Sequence, residues 1–166
     1  MKILQIIGKK KSGKTTTTID FIKAARAQDL TVATFKHTHH TVAMDVEGTD
    51  TARFSAAGAQ QVGMQNDAGF FWHESRKNGA EISLQEELDY FVRPETDLIL
   101  IEGFKKEVFP KLLLLREKDK LEDFAIYEQI DYVGTIFPEV LVVRPELIDL
   151  TTEGKREDWL IKWLMS

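Results

Sequence analysis

The chain contains no cysteine, which excludes disulfides and thiolate-bound metals from the outset. No apolar run approaches the length of a membrane span and no signal-peptide pattern is seen, so a soluble cytoplasmic protein with no membrane partner is expected. Positive charge is in short supply. Lys and Arg number 22 against 27 Asp and Glu, a net charge of −5, which argues against nucleic acid as a partner. Linkers, repeats and low-complexity stretches are also missing from the 166 residues, and a single domain spanning 1–166 is expected.

Against this acidic background one basic cluster stands out. Residues 8–15 read Gly-Lys-Lys-Lys-Ser-Gly-Lys-Thr and satisfy the phosphate-binding pattern G-x-x-x-x-G-K-[ST] at each fixed position. The mostly apolar Lys2–Ile7 before it suits a buried strand. Thr15–Ala27 after it lacks Gly and Pro and carries Ile19 and Ile22 at helical spacing. Strand, glycine loop and helix are the order this chemistry needs, because loop N–H groups and the positive helix end then point at one anion. Gly8, Lys9, Lys10, Lys11, Ser12, Gly13, Lys14, Thr15 and Thr16 are therefore the expected nucleotide-binding residues. Lys14 is placed to reach the terminal phosphates and the Thr15 hydroxyl to ligate Mg²⁺. The competing reading, a lysine-rich loop ahead of an ordinary helix, leaves this order unexplained.

Further strands are expected at Leu30–Phe35, Gln60–Gln65, Gly69–His73, Asp97–Glu102, Lys111–Leu115, Ala125–Tyr127, Tyr132–Phe137 and Val140–Val143. Helices are expected over Asp50–Ala57, from Ser83 to Phe91, and at the amphipathic C-terminal segment bearing Trp159, Leu160, Trp163 and Leu164. Such alternation points to an α/β fold: a mostly parallel sheet flanked by helices, P-loop NTPase-like, with ligands at the carboxyl ends of the strands.

Two segments extend the phosphate site. Asp97-Leu98-Ile99-Leu100-Ile101-Glu102-Gly103 describes a strand buried on both faces that delivers Glu102 at its carboxyl end. A carboxylate there can hold a Mg²⁺-bound water or orient an attacking water, which makes Lys14 and Glu102 the candidate catalytic residues. Glu102 as a merely solvated strand-end acid stays open at this point. Lys36–Gly48 is expected as a loop, and the segment Lys36–Arg53 that contains it supplies Asp45 and Asp50 as candidate Mg²⁺ partners and Arg53 as a candidate phosphate contact. The metal set is accordingly Thr15, Asp45 and Glu102. His37, His39 and His40 invite a transition-metal reading, but adjacent His39 and His40 diverge in an extended loop. The alternative for them is hydrogen bonding or substrate contact. The Phe70-Phe71-Trp72 cluster reads as core or interface.

Three blocks together resemble the MobB family, the small GTP-binding proteins of molybdenum-cofactor guanylation. They are Gly8–Thr18, Phe35–Ala59 with its Lys-His-Thr-His-His and Gly-Thr-Asp-Thr-Ala-Arg-Phe-Ser runs, and Asp97–Arg116 with Ile-Glu-Gly-Phe-Lys-Lys. The resemblance implies GTP with Mg²⁺, a homodimer, and an accessory role beside a MobA-type nucleotidyltransferase that joins GMP to molybdopterin, with possible molybdopterin contact and weak GTPase activity. It implies roles for Asp45, Asp50, Arg53 and Glu102 around the phosphates. No Asn-Lys-x-Asp guanine-reading motif occurs, since Lys118-Asp119-Lys120 fails the spacing, so GTP over ATP rests on the resemblance. A metal-delivery GTPase and a small-molecule kinase or ligase are the alternative functions.

Overall fold

A computed structural model of the chain describes residues 1–38, 46–75 and 83–166. They fall into two compact units, Met1–His37 with Leu84–Ser166, and Thr38–Ser83.

The elements in chain order begin with β1 (Lys2–Gly8), α1 (Lys14–Arg26), β2 (Val32–Lys36), α2 (Asp50–Ala56), β3 (Gln61–Asn66) and β4 (Gly69–Glu74). They continue with α3 (Leu84–Phe91), β5 (Leu98–Glu102), β6 (Lys111–Leu114), β7 (Ile130–Thr135), α4 (Pro138–Val143), β8 (Ile148–Asp149) and α5 (Glu153–Met165). In the larger unit six strands form one sheet in the order β2-β5-β1-β6-β7-β8. Each of its pairings is parallel.

The strand sequences explain this arrangement. β5 reads Leu-Ile-Leu-Ile-Glu and β6 Lys-Leu-Leu-Leu, and each of their residues is buried, as interior strands covered on both faces require. Side chains alternate between faces. Leu4, Ile6, Leu98, Leu100, Leu112 and Leu114 pack with Phe21, Ala24 and Ala25 of α1 and Leu160 of α5. On the opposite side Ile99 and Ile101 meet Leu84 and Leu88 of α3. Ile7, Leu113 and Leu115 cluster with Phe124, Val140 and Leu147. Each fully buried Leu or Ile contributes about 1.5–3 kcal/mol relative to exposure.

α5 docks on α1 through both apolar and ionic contacts. Trp159 stacks on Phe21 at a ring separation of 5.5 Å and meets the edge of Tyr132 at 5.3 Å. Beside them the Arg156 guanidinium lies 2.7 Å from the Asp20 carboxylate, both buried, and also donates to the Leu150 carbonyl at 2.6 Å.

In the smaller unit Thr49 caps α2, its hydroxyl accepting from the Ala52 N–H at 3.3 Å. β3 and β4 pair antiparallel about the turn at Asn66, whose side-chain oxygen accepts from Ala68 and Gly69. Within this unit Phe70 is 67% exposed and stacks beside Trp72, so a core role for Phe70 is not what the described residues show.

Two expected strands are not strands. Val140–Val143 lies in helix α4, where Pro138 occupies the first turn; a preset φ and a missing N–H suit that position and outweigh the β preference of the valines. Ala125–Tyr127 follows a single 3₁₀ turn, Leu121–Phe124, anchored by buried Phe124. β6 is interior, flanked by β1 and β7, which leaves it no edge for pairing with another chain.

The sheet places the site. From β1 the chain crosses to β2 on one side, and β6 lies on the other, which makes the carboxyl end of β1 the place where open parallel sheets hold their ligands.

Candidate phosphate-binding site

Gly8 ends β1 and Gly13 caps α1, so residues 8–13 form a loop between a buried strand and a helix N-terminus. The backbone is left-handed at Lys11 (φ 63°) and Gly13 (φ 90°), the turn geometry that gathers N–H groups into an anion-binding concavity. Neither glycine tolerates a side chain. A Cβ at Gly8 would sit 2.3 Å from Ser12 Oγ and 2.7 Å from the Leu114 carbonyl, and one at Gly13 would sit 2.3 Å from Ile136 Cδ1.

Lys14 folds over this loop, its ammonium donating to the Lys9 carbonyl at 2.8 Å. Burial pulls its pKa below the ordinary lysine value; Glu102 opposes that shift, while Lys105, Lys36 and Arg116 add to it. A partly desolvated ammonium among other cations is primed for phosphate oxygens.

Glu102 arrives from β5, in register with Ile6 of β1 and Lys36 of β2. The Thr15 hydroxyl lies 2.9 and 3.1 Å from its two carboxylate oxygens. Lys36 Nζ is 3.0 Å from Glu102 Oε1 and 3.4 Å from Thr15 Oγ1. Thr15 and Glu102 thus present converging hard oxygens at the helix start. That donor set suits Mg²⁺, which takes one or two protein oxygens and completes its octahedron with phosphate oxygens and water.

The remaining loop residues divide by role. Ser12 is fully buried, its Oγ without a hydrogen-bond partner among the described residues, and its backbone N–H donates to the Lys9 carbonyl at 3.2 Å. Lys9 is drawn away from the loop face to Asp123 at 2.6 Å and Asp119 at 3.5 Å. The Asp123 hydrogen bond holds its ammonium above the ordinary value. Lys10, Lys11 and Thr16 are exposed.

Sequence reasoning passed over three contributors to this site. Arg116 donates Nη1 to the Lys10 carbonyl at 3.0 Å while its Nε and Nη2 fork onto Asp119 at 3.0 and 2.8 Å. The Asp119 carboxyl is held below its ordinary value, first by that side-chain hydrogen bond, despite opposing desolvation. Lys36 and Lys105 are the other two. The Arg-x-x-Asp spacing after an apolar strand was the available signal for the first pair.

Of the other expected site residues, Asp45, His39 and His40 lie outside the described residues. Arg53 and Asp50 belong to the smaller unit, where they pair with each other on α2 at 3.3 Å. His37 donates its backbone N–H to the Glu102 carbonyl at 3.0 Å, and its ring lies 5.0 Å from that of Phe104. Among the described residues no group of His, Asp and Glu forms a ready-made metal cage.

The family model described as Molybdopterin guanine dinucleotide synthesis protein B, MobB, matches residues 3–136. The chain is similar to the molybdopterin-guanine dinucleotide biosynthesis adapter protein of Haemophilus influenzae, with 35% identity over 98% of this chain and 89% of that protein. It is also similar to the probable adapter protein of Bacillus subtilis, with 38% identity over 72% of this chain and 68% of that protein. Among solved structures, the MobB protein homolog from Bacillus stearothermophilus superposes with a TM-score of 0.73 over 99% of each chain; at 23% identity this is a likeness of fold. Bacillus subtilis MobB superposes with a TM-score of 0.65 at 30% identity, over 84% of this chain and 82% of that one. A parallel sheet with a phosphate loop after its first strand, matched by the family model along most of its length, places this nucleotide-binding chain in the MobB family.

Proposed function

We propose that the chain is a GTP-binding accessory protein of molybdenum-cofactor biosynthesis, serving the guanylation of molybdopterin by a MobA-type nucleotidyltransferase. The observation that carries this reading is the meeting of Thr15 and Glu102 at the mouth of the phosphate loop, in a chain whose relatives bear adapter names. The loop backbone and Lys14 would bind the triphosphate chain, and Thr15 and Glu102 would hold Mg²⁺. Bound Mg²⁺ supplies positive charge to the phosphate oxygens. Lys36 neutralises charge beside Glu102. Slow GTP hydrolysis follows if Glu102 orients a water, a weak activity suited to an accessory factor.

Family likeness favours GTP over ATP, a homodimer and a cytoplasmic setting. Among the described residues no helix is long and apolar enough to cross a membrane. Calorimetry with GTP and ATP, with and without Mg²⁺, tests the ligand. Pull-down of a purified MobA-type nucleotidyltransferase with and without GTP tests the partner. Equal affinity for both nucleotides together with no capture would overturn the reading. Tight Ni²⁺ or Zn²⁺ binding without nucleotide would favour metal delivery instead. Light scattering at micromolar concentration tests the dimer, and a mass near the 19.0 kDa of one chain would exclude it.

A further inference from the structure

β1 and β6 run side by side with Gln5 opposite Lys111. Both residues are fully buried; Gln5 interrupts the apolar run of β1, and Lys111 opens the otherwise apolar β6. A Leu pair would satisfy the sheet equally well at this place, and a buried ammonium carries a large desolvation penalty that needs a reason.

The reason lies in where their donors go. The Gln5 amide donates to the Gly103 carbonyl at 2.6 Å and to the Phe104 carbonyl at 2.5 Å. The Lys111 ammonium donates to the Glu107 carbonyl at 2.5 Å and to the Phe109 carbonyl at 3.2 Å. These bonds tie down one segment from beneath. That segment begins at the residue after Glu102, and its first two residues are left-handed, Gly103 at φ 92° and Phe104 at φ 49°. For a phenylalanine this conformation is strained and persists only where the surroundings impose it. Gln5 Oε1 is buried and has no hydrogen-bond partner among the described residues, so the amide is held there for its donors. The tied segment carries Lys105, whose charge acts on Lys14, and Phe104, whose ring lies against His37.

We propose that Gln5 and Lys111 form a buried strap that fixes the Gly103–Phe109 segment and so sets the position of Glu102 beside the phosphate loop. They are positioning residues and touch no nucleotide. The proposal rests on the nucleotide reading of that site.

The test uses the full chain with Gln5→Leu, Lys111→Met and Lys111→Gln, each checked for folding by circular dichroism. Hydrogen exchange of the amides from Gly103 to Phe109 should accelerate about tenfold or more in the folded variants, with β5 amides unchanged. Triphosphate affinity should fall about tenfold with Mg²⁺ present and stay within about twofold in EDTA, because the strap acts through Glu102 while the loop backbone and Lys14 remain. A packing role alone would lower the unfolding midpoint and weaken binding alike under both conditions. Unchanged exchange in the segment, or equal losses with and without Mg²⁺, overturns the strap. Should Lys111→Met fail to fold, Gln5→Leu and Lys111→Gln decide. If the wild-type chain binds no triphosphate, the proposed function falls, and the exchange result alone decides the strap.

Discussion

Thr15 and Glu102, 87 positions apart in the chain, are joined by a 2.9 Å hydrogen bond from hydroxyl to carboxylate. Glu102→Gln keeps the side-chain volume but removes the charge that Thr15 and Lys36 meet. The expected outcome is a loss of about tenfold or more in Mg²⁺-dependent triphosphate affinity, with metal-free binding nearly unchanged. Titration calorimetry in Mg²⁺ and in EDTA checks it, and parallel losses in both would assign Glu102 a structural role only.

Lys14→Ala removes the ammonium that lies over the loop and leaves the loop backbone in place. Charge-assisted phosphate contacts are worth on the order of 1.5–3 kcal/mol, so triphosphate affinity should drop at least tenfold. Unchanged affinity in a variant with native circular dichroism would mean that this loop binds no phosphate.

Asp119 makes loop integrity dependent on pH. Its carboxyl is held below the ordinary aspartate value by Arg116, so the stabilisation is fully present above about pH 4 and is lost as pH falls through the lower folded value. Acid should release Arg116 from Asp119 and with it the clasp on the Lys10 carbonyl. Stability measured against pH should fall in this range, and Asp119→Asn should flatten that part of the curve. A variant curve parallel to wild type contradicts the assignment.

Arg156→Ala strands the Asp20 carboxylate in a buried setting, with Lys23 at 3.4 Å as its remaining ion-pair partner among the described residues. Breaking a buried pair from one side costs roughly 3–5 kcal/mol, and Lys23 places the expected loss near the lower figure. Urea unfolding measures it. Replacing both partners, as Asp20→Leu with Arg156→Met, should recover most of the loss; no recovery would mean that the cost lay in packing.

Local signals made the phosphate loop and β5 legible in the sequence. The loop's glycines and Lys14-Thr15 stand at fixed spacing, and the apolar run Leu98–Ile101 between acids has the length and pattern of a strand covered on both faces. Glu102 followed from strand direction. What stayed hidden depends on partners distant in the chain. Arg116 gains its role from the Lys10 carbonyl, and Lys36 from register with Glu102. Gln5 sits inside β1 and Lys111 at the start of β6, where apolar neighbours dominate any pattern. The valines of α4 misled because β-branching is a weak preference, overridden here by Pro138 and by burial of Val140.

The position of β1 in the sheet has a consequence for biosynthesis. Of the six strands of this sheet the earliest in chain order, β1, is an interior one, and its neighbours β5 and β6 are not complete until Leu114. On the ribosome, Leu4, Ile6 and Ile7 therefore wait for about a hundred residues before their pairing partners exist, and such non-local closure is slow. During that interval the nascent chain displays a sticky apolar strand and has no competent phosphate cradle. Under the proposed function, a nucleotide that binds only the finished sheet would stabilise it by mass action.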